Sequence, residues 1–116
     1  MKMPHRRFGR TNLKIPVLSL GGMRFQKSWD QLEFSKISLK EQKKVENILN
    51  LANKYGLSHV ETAKYYGSSE VQLGNAFKTI KKMPEIIQTK IPPHADPAIF
   101  EKDLMSSMEK LKVKKI

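Results

Sequence analysis

The spacing of apolar residues along this chain switches between the period of a strand and the period of a helix, and the switches mark out its elements. His5–Phe8 and Leu13–Ile15 are short extended segments separated by Gly9-Arg10-Thr11-Asn12, residues that favour turns, so a hairpin is predicted. Pro16 punctuates, and Val17-Leu18-Ser19-Leu20 predicts a buried strand ending at Gly21-Gly22. From Met23 to Ile37 no period is legible; Trp29, Leu32 and Phe34 fall at irregular intervals, and a long loop is expected. Ser38 and Glu41 then stand at capping-box spacing, in which each side chain satisfies a backbone donor of the first helical turn. Val45, Ile48, Leu49, Ala52 and Tyr55 follow on one helical face, and Gly56 supplies the left-handed residue that ends it.

The alternation continues. His59–Ala63 reads as a strand; Ser68 or Ser69 caps a second helix carrying Leu73, Phe77 and Ile80; Glu85–Ile91 is a further strand. Asp96 caps and Pro97 opens a third helix with Phe100, Leu104, Met108 and Leu111 on one side, and Val113–Ile116 reads as the approach to a fourth strand. Strand and helix in strict alternation predict an α/β protein with a parallel sheet. Residues 1–116 form one unit with no linker, and the chain stops on Lys114-Lys115-Ile116 where a strand is beginning, which reads as a truncation.

Composition narrows the classes. A chain of 116 residues has room for a single domain, and with 0 cysteines it has no disulfide, thiolate zinc site, iron–sulfur ligand or cysteine nucleophile. Its 22 basic and 11 acidic residues leave a net charge of +11, which suggests nucleic acid or an anionic surface. But 18 of the basic residues are Lys and 4 are Arg, and they are scattered from Lys2 to Lys115, which fits a solvated surface better than a phosphate-reading one. A small basic nucleic-acid-binding module stays as the second reading. The apolar runs at Val17–Leu20 and Ile86–Ile87 are far shorter than the roughly 20 residues that span a bilayer. MKMPHRRFGR has no apolar core behind it, so neither membrane nor secretory signal is expected, and a cytoplasmic protein is.

The chemistry concentrates in HVETAKYYGSSEVQLG, His59 to Gly74, and IIQTK, Ile86 to Lys90. Glu61 ends a strand, Tyr66 follows five residues on, and Lys90 ends the next strand. Parallel neighbours would collect all three at the carboxyl end of the sheet, where α/β proteins build sites. A lysine cation beside a phenol stabilises the phenolate and lowers a tyrosine pKa from its usual value near 10, and a carboxylate holds the cation in place. Such a tyrosine can exchange a proton at neutral pH, as carbonyl reduction requires. On spacing alone, Glu61 and Lys90 fit a rim ion pair equally well, and Tyr66 a packing residue. Gly21-Gly22 is a tight turn rather than a phosphate loop, since no Gly-x-Gly-x-x-Gly follows. Ser68-Ser69 lacks a histidine base, and Met105 and Met108 read as core filler.

The chain resembles the amino-terminal part of an aldo/keto reductase. RRFGRTNLKIPVLSLGGM is similar to that family's opening hairpin and first barrel strand, ETAKYYGSSEVQLGNAF to its Asp-Thr-Ala…Tyr-Gly…Ser-Glu…Leu-Gly signature, and QTK to its third strand. The resemblance implies an N-terminal β-hairpin plus three βα units of a (β/α)8 TIM-type barrel using NADP(H) on a small carbonyl substrate. It implies Tyr66 as general acid, Lys90 as the lysine that tunes it, and Glu61 in the place of the paired aspartate. Gly22 and Met23 would lie beside the nicotinamide, and no metal site is implied.

Two departures stand out. Glu61 occupies the usual aspartate position, a trait that looks most like the branch with a carboxy-terminal iron–sulfur segment, yet without cysteine no cluster is expected. The tetrad's histidine would fall after the fourth strand, beyond Ile116; His5, His59 and His94 are expected to be structural or exposed. With three strands of eight, the isolated chain is expected to be inactive, to hold NADP(H) weakly, and to self-associate through open sheet edges.

Overall fold

The computed structural model describes residues 3–116. Strands β1 (His5–Arg7) and β2 (Lys14–Pro16) form the expected antiparallel hairpin, with His5 opposite Pro16 and Arg7 opposite Lys14. Its turn is closed by the Phe8 amide on the Leu13 carbonyl (2.9 Å) and uses Gly9 at φ 54°. Then β3 (Leu20–Gly21), β4 (His59–Glu61) and β5 (Ile86–Gln88) build a parallel sheet in chain order. Helices α1 (Leu39–Lys54), α2 (Ser69–Ala76) and α3 (Pro97–Leu111) alternate with them. The predicted class, a hairpin followed by three βα units, is the one observed.

Local chemistry sets the helix ends. Ser38 accepts from the Glu41 amide at 3.3 Å while Glu41 reaches back to the Ser38 amide, a complete capping box. Asp96 caps Ala98 at 2.9 Å with Pro97 just inside the helix. Ser68 stands at the N-cap of α2, but neither serine side chain makes the capping hydrogen bond. Ser68 spends its hydroxyl on Gln72, and Ser69 is already helical and donates to the Gly22 carbonyl.

Three other expectations need correction. Val17 and Leu18 are not in the sheet: the Val17 amide donates to the Pro4 carbonyl at 3.0 Å, prolonging the hairpin, and the two side chains are 50% and 60% exposed. The sheet begins only at Leu20, and Gly21 belongs to it rather than ending it. Phe100 stays 39% exposed on the outer side of α3. Residues 113–116 form no strand; after Lys112 caps α3 in the left-handed region (φ 55°), Val113 folds back against the core.

Register explains how core and site divide the sheet. Leu20, Val60 and Ile87 lie side by side and face the helices, meeting Val45, Leu49, Leu73, Phe77 and Leu111. Burying Leu49, Leu73 and Leu111 completely contributes roughly 1.5–3 kcal/mol each. Because side chains alternate, Gly21, Glu61 and Gln88 share the opposite face, and Lys90, two residues past Gln88, continues it. Helices α2 and α3 cross at Gly74, where a Cβ would collide with the Lys110 carbonyl and come within 2.9 Å of the Leu111 backbone.

Candidate active site

All three sheet strands point the same way, so their carboxyl ends open on one side. Backbone pairing runs past the strands there: the Thr62 amide donates to the Gln88 carbonyl (2.8 Å) and the Lys64 amide to the Lys90 carbonyl (3.1 Å). Lys90 is therefore positioned by the main chain. Its ammonium pairs with Glu61 Oε1, donates to the Thr62 carbonyl at 3.0 Å, and lies 4.6 Å from the centroid of the Tyr66 ring. The structure thus brings Glu61, Tyr66 and Lys90 together, and the longer glutamate side chain reaches the lysine. Lys90 meets the face of the phenol ring, a cation–π arrangement. Burial pulls the Lys90 ammonium below its ordinary pKa of 10.5, while the neighbouring carboxylate favours the charged form.

Tyr66 sits in a short turn ahead of α2, its amide on the Ala63 carbonyl (3.1 Å) and its carbonyl taken by the Ser69 amide (2.9 Å). Gly67 follows at φ 50°, and a Cβ there would run into the Ser28 carbonyl, so only glycine lets the loop after β3 lie across this turn.

The Gly22 amide donates to the Glu61 carbonyl at 2.7 Å, and its carbonyl accepts from Ser69 Oγ at 2.9 Å, with Thr62 Oγ1 a further 2.8 Å from that hydroxyl. Both backbone groups of Gly22 are used in holding the site together. Met23 is 36% exposed, whereas Gly22 is buried.

Several neighbours escaped the sequence reading. Trp29 packs edge-on to Tyr66, with centroids 6.4 Å apart. Thr89 Oγ1, immediately before Lys90, donates to the buried Glu70 carboxylate at 2.6 Å. Asp103 in α3 takes Lys64 at 2.8 Å and His94 at 2.9 Å. Thr89 and Glu70 are 19 positions apart and Lys64 and Asp103 are 39 apart, His94 and Asp103 are 9 apart, and Trp29 lies in a loop of no period, so local pattern carries little signal for them. The histidines are structural, as expected: His5 bonds the Met3 carbonyl, His59 lies between Ser19 and Gln88, and His94 meets Asp103.

The Lys64 hydrogen bond, then that of His94, holds Asp103 below its ordinary pKa of 3.8. A lowered folded-state pKa gives stability that is present above the unfolded value and lost as pH falls through the folded one. Asp103→Asn should therefore be less stable than the parent near neutrality, and the gap between the two acid-unfolding curves should close progressively as pH falls below the ordinary 3.8 and through the lowered folded-state value. A constant gap down to pH 2 would contradict this.

The geometry can be set beside known proteins. The model of the aldo/keto reductase family matches residues 17–116. The chain belongs to the aldo/keto reductase family. A solved aldo-keto reductase structure from Pseudomonas aeruginosa superposes with a TM-score of 0.78 at 24% identity, covering 97% of this chain and 44% of that one. A thermostable aldo-keto reductase solved with the inhibitor epalrestat gives 0.71 at 27% identity, covering 96% and 39%. One from Bacillus halodurans, in its holo form, gives 0.73 at 19%, covering 98% and 38%. No curated protein matches. This aldo/keto reductase chain spans less than half the length of the solved structures it resembles.

Proposed function

We propose that this segment supplies the proton-delivering part of an NADP(H)-dependent carbonyl reductase, with Tyr66 as the proton donor. The observation that carries the reading is the assembly of Glu61, Lys90 and Tyr66 at the carboxyl end of a parallel sheet in a chain of this family. NADPH, when bound, supplies hydride to the carbonyl carbon. Tyr66 Oη gives a proton to the carbonyl oxygen, and the Lys90 cation offsets the charge left on the phenol. Glu61 holds Lys90 in place, and Met23 offers a contact wall to a flat group. Gly22, its backbone already engaged, serves by leaving room: a Cβ would lie 2.7 Å from Ser69 Oγ.

The reverse oxidation uses the same groups. A small carbonyl compound is the substrate class, and the cytoplasm is the compartment that fits an NADP(H) enzyme. Among the described residues no helix is long and apolar enough to cross a membrane. Nucleic acid binding is the weaker reading, because it leaves the Glu61–Lys90–Tyr66 assembly without a purpose. Taken alone, the 116 residues should bind NADP(H) weakly and self-associate, since β3 and β5 each have an open edge in the sheet.

In a barrel completed around this segment, Lys90→Met should reduce turnover about 10²-fold or more, as loss of tuning at a general acid does, with cofactor affinity kept. A rim ion pair would behave differently. Stability would change and turnover per folded molecule would not, a result that would defeat the assignment.

A further inference from the structure

Glu70 stands in the first turn of α2 and is only 2% exposed. Its Oε1 accepts the Thr89 hydroxyl at 2.6 Å, and its Oε2 has no hydrogen-bond partner among the described residues. Burying a carboxylate with one oxygen unbonded is costly, and an apolar residue of similar size would pack there without that cost. The positive end of the α2 dipole favours an anion at this position, but the dipole does not require a bond to Thr89. That bond is the feature to be explained.

The neighbouring bonds explain it. Ser69 Oγ, one residue earlier, donates to the Gly22 carbonyl just past β3 (2.9 Å) and meets Thr62 Oγ1 just past β4 (2.8 Å). Glu70 completes the set by taking Thr89 just past β5. The first turn of α2 is thus fastened to the ends of all three sheet strands, and the Ser69 amide of that turn also holds the Tyr66 carbonyl at 2.9 Å. Successive side chains of an extended segment point to opposite faces. With Thr89 turned back onto α2, the next side chain, Lys90, is turned out toward Glu61 and Tyr66. The Lys64 amide on the Lys90 carbonyl fixes where this main chain lies, and the Thr89 bond fixes its roll about its own axis.

We propose that Glu70 is a positioning residue, which through the Thr89 hydroxyl sets the roll of the strand end and so holds the Lys90 ammonium against the face of the Tyr66 ring. This rests on the proton-delivering reading of Tyr66 and Lys90, and adds the element that keeps the two 4.6 Å apart.

The test is NMR of the 116-residue chain with its lysines carbon-13-labelled at the ε-methylene. Protons held over an aromatic face are shielded, so Lys90 should give an upfield ε-signal, identified by its absence in Lys90→Arg. Thr89→Val keeps the branched shape and removes the donor, and the signal should return to the position of the exposed lysines. Thr89→Ser keeps the hydroxyl and Glu70→Gln keeps an acceptor oxygen, and both should hold the signal upfield. Combining Glu70→Gln with Thr89→Val leaves no charge buried, so this variant reads the broken bond even if Thr89→Val alone fails to fold. A merely structural bond would lower the melting midpoint when broken and leave the Lys90 signal in place, which would overturn the assignment. A signal lost equally in Thr89→Ser, or a parent with no upfield Lys90 signal, would overturn it as well. The readout is geometry, so it fails or succeeds separately from the Tyr66 role, which turnover decides.

Discussion

Replacing Tyr66 by Phe in a barrel completed around this segment should lower carbonyl turnover about 10³-fold, the middle of the range for losing a general acid, while leaving affinity for NADPH unchanged. The substitution removes one oxygen and keeps the ring that Lys90 and Trp29 pack against. Folding should therefore be nearly untouched, and the effect falls on the chemical step. If Tyr66 were only a packing residue, Phe would serve as well and turnover would persist. A drop confined to KM would also count against a proton donor, because a group acting in the transition state lowers kcat and kcat/KM together.

The largest effect on stability is expected at Gly74. A side chain there meets the Lys110 carbonyl and the Leu111 backbone, groups that are held by α3 itself and have no rotamer into which to retreat. Overpacking of this kind costs about 1–3 kcal/mol in ordinary cores, and a backbone obstacle places Gly74→Val at or above the upper end. By the usual scaling this lowers the melting midpoint by more than about 10 °C. Gly9→Ala is the matched control: nothing lies within 4 Å of its Cβ, and only its φ of 54° penalises alanine. It should cost about 1 kcal/mol. Thermal melts monitored by far-ultraviolet circular dichroism separate the two, and equal losses would contradict the close crossing of α2 and α3.

What the sequence reveals and what it hides divide on physical grounds. The capping box at Ser38, the glycine stop at Gly56 and the Asp96–Pro97 start are set by neighbours within four residues, and all three are found where the pattern places them. The Glu61–Tyr66–Lys90 grouping was legible because parallel strands put their ends together whatever the details of the loops. Val17 and Leu18 look like strand residues because they are apolar, yet the Val17 amide is taken by Pro4, a choice made by the hairpin. Ser69 looks like a cap because of its position, but the Gly22 carbonyl, 47 residues earlier, captures its hydroxyl. The packing of Trp29 on Tyr66 is not legible because its loop has no period and is placed by Gln31 on the Lys64 carbonyl and by Ser28 against Gly67.

The central claim is that Lys90 and Tyr66 act as one proton-delivering unit, and a double-mutant cycle on kcat tests it most directly. Lys90→Met, Tyr66→Phe and the double variant are compared in one completed barrel. If the lysine works through the tyrosine, the double variant should be no slower than Tyr66→Phe alone, since the tuning of an absent phenol has no further effect. If the two losses instead multiply, the residues act independently and the account of a joined site is contradicted.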